Sequence, residues 1–314
     1  MDLDERPQSA PAEPDPAEQS PTAESPAETE AAEPNAEDNG RHRPRTGRNL
    51  PVAVTVGLVM GALVVLTLYT IKATFMVYMA AAVAVGGFEL SRALAVRQIR
   101  IALPPLAVGC AAIWTCAYWL GPRAVLAAVA LTAGAVIVWR LPGGPAGYLR
   151  DMTASMFALV YLPLLAVFAV LILASADGAD RTIVFVAITV CSDVGGYFAG
   201  TAFGRHPLVP AISPKKTWEG LGGSVVACVA AGAGLVPSML GGQFWQGMIL
   251  GVAAVAAATL GDLAESMIKR DLEIKDMGSV LPGHGGLLER LDSLLFNAPV
   301  AWLLLAVFVP AGAR

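Results

Sequence analysis

The sequence predicts an all-α integral membrane protein, with about nine transmembrane helices behind a disordered, acidic N-terminal tail. Three observations predict it. The 314-residue chain is 55% apolar and only 15% charged, whereas about a quarter of a soluble domain is charged. Its mean hydropathy is +0.61. Its charges are also segregated: residues 1–50 hold twelve of the 25 acidic residues and five of the 21 Lys/Arg, leaving thirteen acids and sixteen bases for residues 51–314. The apolar part is therefore slightly basic, although the whole chain carries a formal −4.

Residues 1–48 form the tail, rich in Pro, Ala, Glu and Ser and without an aromatic side chain. Such a segment buries too little apolar area to offset the entropy of ordering it. It ends in Arg41, Arg43, Arg45 and Arg48, set directly against the first apolar run. That cluster serves either as a positive-inside topology signal or as a contact for anionic headgroups. The first apolar run begins near Leu50, too late and too long for a signal-peptide core, so no signal peptide is expected.

Residues 49–314 make the membrane domain. A spanning helix needs about 20 apolar residues, and the candidate spans are roughly 51–70, 74–91, 102–120, 123–139, 152–174, 182–202, 221–240, 245–264 and 294–312. Basic residues alternate between the connecting loops. One side receives the Arg41–Arg48 cluster, then Arg92, Arg97 and Arg100, then Arg140 and Arg150, then Arg205, Lys215 and Lys216, and finally Lys269, Arg270, Lys275 and Arg290. The other side receives Lys72, Arg123 and Arg181. This asymmetry predicts a cytoplasmic N-terminus and cytoplasmic polar loops.

Composition also excludes some classes. Cys110, Cys116, Cys191 and Cys228 lie in apolar runs without a CxxC pair and read as small hydrophobes. No internal repeat supports a transporter built from inverted halves.

Two polar regions carry the chemistry. In the first, Asp193 falls inside an apolar span, where an ionisable group costs about 3 kcal/mol unless it is paired or in water. Gly195, Gly196 and Gly200 follow it, serving helix packing or ligand contact alike. Then comes Ser213-Pro-Lys-Lys-Thr-Trp-Glu219. Lys215 and Lys216 supply point charges for phosphates, and Ser213 and Thr217 supply neutral donors. The alternative is an ordinary positive-inside loop.

In the second region, Asp262, Glu265 and Lys269 are spaced three and four apart and share a helix face. Glu289 and Asp292 repeat the i, i+3 spacing at the start of the last span. Between them runs Pro282-Gly-His-Gly-Gly286, too rich in glycine for a helix. Carboxylates brought together from two helices suit Mg²⁺, with substrate phosphates completing its shell. A single pair could be a solvated salt bridge, but four carboxylates amid several cations argue against that. His284, with His42 and His206 far off in sequence, makes a poor zinc site and suits a hydrogen bond to phosphate or carboxylate.

The run Ser266-x-Ile-Lys-Arg-Asp-x-x-x-Lys-Asp-x-Gly-x-x-x-Pro-Gly-His-Gly-Gly-x-x-Glu-Arg-x-Asp292 closely resembles the signature of the phosphatidate cytidylyltransferases (CDP-diacylglycerol synthases). Ser213 to Gly220 resembles a second hallmark of that family, and Asp193-x-x-x-Tyr197 a third. These motifs cover about residues 193–296. The resemblance implies CTP and phosphatidic acid as substrates, and CDP-diacylglycerol and pyrophosphate as products. It also implies Mg²⁺ with room for a second cation, a homodimer in the lipid bilayer, and no nucleic-acid partner. The expected location is a bacterial-type inner (plasma) membrane, with the active site cytoplasmic.

Carried over by position, Asp262 and Asp292 are the metal carboxylates, with Glu289 as a third candidate. Lys215 and Lys216, with Ser213, Thr217, Glu219, Asp193, Arg270 and Arg290, form the substrate-binding set. Lys269, Lys275, Glu265 and His284 join Asp262 and Asp292 in the catalytic set. Two positions depart from the family pattern: Glu289 stands where Asp is usual, and Gly196 where Ala or a similar small residue is usual. Glu289 is one methylene longer, which leaves direct metal contact open.

An ionised phosphate monoester is already nucleophilic, so nucleotidyl transfer reduces to alignment and charge neutralisation. Three rivals remain at this point. One is another CTP-dependent lipid-phosphate nucleotidyltransferase. A CDP-alcohol phosphotransferase would need a spaced Asp-Gly…Asp…Asp run that is missing. A cation transporter would place its carboxylates near the bilayer midplane on broken helices.

Overall fold

The computed structural model describes residues 61–278 and 286–310. The acidic tail, the start of the first expected span and His284 lie outside the described residues. The short helix α1 (Gly61–Thr70) is the described part of that first span. Among the described residues, eight helices long and apolar enough to cross a membrane follow it, matching the other eight expected spans one for one. They begin with α2 (Lys72–Ala95) and α3 (Leu103–Thr115), which a π-helical turn extends to Leu120. Next come α4 (Pro122–Trp139) and α5 (Tyr148–Leu159), the latter joined through a π-helical turn at Pro163 to α6 (Leu165–Leu173). α7 (Gly178–Phe203), α8 (Trp218–Leu240), α9 (Phe244–Asp271) and α10 (Leu288–Phe308) complete the set. The chain is a multi-pass membrane protein.

Several helices outrun their apolar windows. α9 continues from 264 to Asp271 and α10 starts at Leu288 rather than 294. Hydropathy measures only the lipid-facing length, whereas the backbone ladder continues wherever polar side chains find partners. Those polar turns at the ends of α9 and α10 carry the candidate site.

The basic loops meet at one end of the bundle. Arg97 pairs with Glu273 at 2.7 Å, Arg150 donates to the Gln98 carbonyl at 2.6 Å, and Arg270 donates to the Ile212 carbonyl at 3.4 Å. At the other end, Lys72 donates to the carbonyls of Ser175 and Ala176 at 3.1 and 3.0 Å. The alternation read from loop charges thus corresponds to two physical ends.

Two buried charged residues are held by partners. Buried Asp151 binds Arg140 at 2.5 Å and Arg150 at 3.2 Å. Buried Arg181 binds Asp177 at 2.6 Å and also donates to the Leu305 and Val309 carbonyls that end α10. Such pairing removes most of the cost of ionised groups at membrane depth. The four cysteines are free, and only Cys228 is fully buried.

α7, α8 and α9 lie side by side. α7 and α8 approach so closely that a Cβ on Gly195 would stand 2.7 Å from the Gly223 carbonyl, and one on Gly223 only 2.2 Å from Ala199 Cβ. These glycines therefore serve helix packing, as small residues do between membrane helices.

Candidate active site

The Ser213-Pro-Lys-Lys-Thr run, expected as a loop in an all-helical chain, is a β-strand. β1 (Pro207–Val209) pairs antiparallel with β2 (Ser213–Thr217), setting Pro207 opposite Thr217 and Val209 opposite Ser213. The hairpin is anchored where α8 begins. Thr217 Oγ1 accepts the Gly220 N–H at 3.1 Å and caps α8, and the Trp218 N–H donates to the His206 carbonyl at 2.9 Å. Adjacent residues of a strand face opposite ways. Lys216 accordingly turns to the Asp262 carboxylate on α9, with which it forms an ion pair, while Lys215 stays exposed.

Two cavities meet here. One, of about 240 Å³, is bordered by Asp193, Tyr197, Lys215, Lys216, Thr217 and Asp262. The other, of about 390 Å³, is bordered by Asp193, Tyr197, Asp262, Glu289, Arg290, Asp292 and Ser293. Asp193, Tyr197 and Asp262 belong to both. One cavity is thus lined by lysines and the other by carboxylates with an arginine, and they share a common wall.

Around that wall the carboxyl groups crowd. Asp292, buried on α10, lies against Asp262 and Glu265, and Asp193 faces Asp262, Lys216, Arg290 and Ser293. Ser293 Oγ donates to Asp262 at 3.3 Å. Glu265 is buried, with Oε2 3.4 Å from Lys269 and Oε1 without a hydrogen-bond partner among the described residues. Carboxylates this close repel one another unless a cation or proton sits among them. Among the described residues no group of three or more such side chains is arranged as a metal cage. Carboxylate oxygens are the hard donors Mg²⁺ takes, commonly one or two from protein with water and substrate phosphates completing its shell.

Other expected residues are placed less centrally. Glu289 Oε1 accepts from Lys269 at 3.3 Å and from the Met277 N–H at 3.2 Å, so this oxygen faces the end of α9. Glu219 is spent on the hairpin: its carboxylate accepts the Arg205 and His206 N–H groups at 3.1 and 3.2 Å and meets His206 Nδ1 at 2.6 Å. Arg270 and Lys275 are exposed at the same end of the bundle, and Ser213 is half-buried in β2. Two residues were missed in the sequence. Ser293 gives no pattern signal, since a serine in an apolar helix is ordinary. Glu89, buried in α2, does: it is an ionisable residue inside an apolar span, the same signal that singled out Asp193.

A membrane bundle that presents lysines and clustered acids to one pair of cavities has the make-up of a phosphate-handling enzyme. Residues 51–308 match the model of the cytidylyltransferase family. The chain is 41% identical to the phosphatidate cytidylyltransferase of Mycobacterium leprae over 288 residues, covering 85% of this chain and 91% of that protein. It is 39% identical to the phosphatidate cytidylyltransferase of Mycobacterium bovis over 280 residues, covering 84% and 90%. To the Bacillus subtilis phosphatidate cytidylyltransferase it is 41% identical over 135 residues, 42% of this chain and 50% of that one. The chain belongs to the cytidylyltransferase family and is a nucleotidyltransferase.

The Glu289 geometry leads to an expected result. A carboxylate already shared by Lys269 and a backbone N–H suits an outer-shell role, in which charge matters more than length. Glu289→Asp should keep most of the turnover, whereas Glu289→Gln should lose about 10–100-fold, the usual cost of removing an outer-shell partner. Turnover of both variants across a Mg²⁺ titration checks this. Equal activity at every concentration would make Glu289 a bystander.

Proposed function

We propose that the chain is a phosphatidate cytidylyltransferase, joining CMP from CTP to phosphatidic acid and releasing pyrophosphate. The observation that carries this reading is the meeting of Lys216 with Asp262 at the wall between the lysine-lined and acid-lined cavities. It lies in a chain whose relatives bear that name over most of their length.

In the reaction an oxygen of the lipid phosphate forms a bond to the α-phosphorus of CTP. The bond to the bridging oxygen breaks, and its electron pair leaves with pyrophosphate. Lys215 and Lys216 hold the CTP phosphates, and Arg290 faces the phosphate of the lipid. Lys269 keeps Glu265 and Glu289 in place behind Asp292. Asp262 and Asp292 would hold Mg²⁺, which when bound would supply neutralisation of phosphate charge. No strong base is required, because the lipid phosphate is already ionised; alignment and charge neutralisation are the main contributions. The excess of Arg and Lys at the site's end of the bundle supports a site on the cytoplasmic side of a bacterial-type inner membrane, where CTP and the lipid headgroup would meet. The reading includes a homodimer.

Purified protein in detergent–lipid micelles should release pyrophosphate only when CTP, phosphatidic acid and Mg²⁺ are all present. Release without phosphatidic acid, or with a diacylglycerol alcohol in its place, would overturn the substrate assignment.

A further inference from the structure

Glu89 lies near the end of α2 that carries Arg92 and is only 1% exposed. Its Oε2 accepts the N–H of Leu288 at 2.8 Å, from a residue 199 positions away. Its Oε1 has no hydrogen-bond partner among the described residues. Leu288 opens α10, and no side chain next to it in sequence caps that helix. The first N–H groups of a helix have no intrahelical acceptor, and they form the positive end of its dipole. A carboxylate from a distant helix supplies both the acceptor and the complementary charge.

Two glycines enclose the same carboxylate. A Cβ on Gly278 would stand 2.2 Å from Glu89 Oε1 and 2.6 Å from its Cγ. A Cβ on Gly286 would stand 3.1 Å from Oε2 and 3.0 Å from the Gly278 nitrogen. Gly278 follows α9 and Gly286 precedes α10. Glu89 therefore sits against two points of the connection between the carboxylate-bearing helices, Gly278 seven residues after α9 and Gly286 two residues before α10. Burying a carboxylate with one oxygen unpartnered among the described residues is costly, and a serine or aspartate at the helix's own cap position would hold α10 more cheaply.

We propose that Glu89 is a positioning residue for the transfer reaction. It anchors the N-terminus of α10 and so sets where Glu289, Asp292 and Ser293 stand relative to Asp262 on α9. Its effect on turnover rests on the proposed function, whereas the anchor itself does not. A misplacement of about 1 Å in a reacting constellation can cost about a hundredfold.

Turnover of folded Glu89→Ala should fall about 10–100-fold, while the apparent KM for CTP changes little, because Lys215 and Lys216 stand on a hairpin tied to α8. Glu89→Gln keeps an acceptor for Leu288 and should lose less. Gly278→Ala should lower turnover by driving a Cβ into the carboxylate, but should add little in the Glu89→Ala background, where that carboxylate is gone. Hydrogen–deuterium exchange gives a readout independent of activity: in Glu89→Ala the first turn of α10 should exchange faster, while α7 and α8 stay as in the parent chain. Unchanged exchange in α10 would overturn the anchor. A loss seen entirely as a raised KM for CTP, or additive effects of Gly278→Ala and Glu89→Ala, would overturn the positioning role. Should Glu89→Ala not fold, Glu89→Gln and Gly278→Ala carry the same measurements. Failure to transfer a cytidylyl group at all would sink the proposed function and leave the exchange test standing.

Discussion

Asp262→Asn and Asp292→Asn should each lower turnover about a hundredfold or more, with membrane insertion and helix content unchanged. Both substitutions keep the shape of the side chain and remove the charge that would hold the cation. Lewis-acid stabilisation of phosphoryl oxygens is worth several kcal/mol, and each 1.36 kcal/mol is about tenfold in rate. The two variants should differ in a second respect. Asp262 is the partner of Lys216, so Asp262→Asn also frees that lysine. Asp292 is buried against Asp262 and Glu265, so Asp292→Asn relieves carboxylate crowding and should raise the midpoint of thermal unfolding measured without Mg²⁺. Initial rates of pyrophosphate release, set beside unfolding curves with and without Mg²⁺, check both statements. Parent-like turnover in either variant would remove that residue from the metal site.

Lys216→Ala should cost about a hundredfold, and Lys215→Ala distinctly less. Removing one preorganised donor from a site where charge develops typically costs about 10²–10³ in rate. Lys216 stands at the wall between the two cavities, on Asp262, whereas Lys215 is exposed at the edge of one of them. Lys216→Arg should recover only part of the loss, because a planar guanidinium does not replace a compact ammonium on a single carboxylate. Both lysine effects should appear with CTP varied at saturating phosphatidic acid. An effect confined to phosphatidic acid would assign the lysines to the other substrate.

Much of this protein is written locally in its chain. The eight full spans follow from runs of apolar residues, because lipid requires every backbone group of a spanning segment to be satisfied within that segment, which only a helix of about 20 residues achieves alone. The shared face of Asp262, Glu265 and Lys269 follows from helical periodicity. The family follows from the motif between Ser266 and Asp292. What periodicity and composition could not show was decided by contacts between residues far apart. Ser213 to Thr217 is a strand because it pairs with Pro207–Val209; a proline and two lysines have no strand preference of their own. The pairing of Lys216 with Asp262 and the confinement of Glu219 to His206 follow from that hairpin. Glu89 reaches the start of α10 only because α2 packs against it, a contact no local pattern encodes. Sequence alone determined the helices, their alternating ends and the chemical inventory. The tertiary structure decided which carboxylates meet, because a side chain's partners depend on how helices pack, and packing is set by the shapes of distant surfaces rather than by neighbours in the chain.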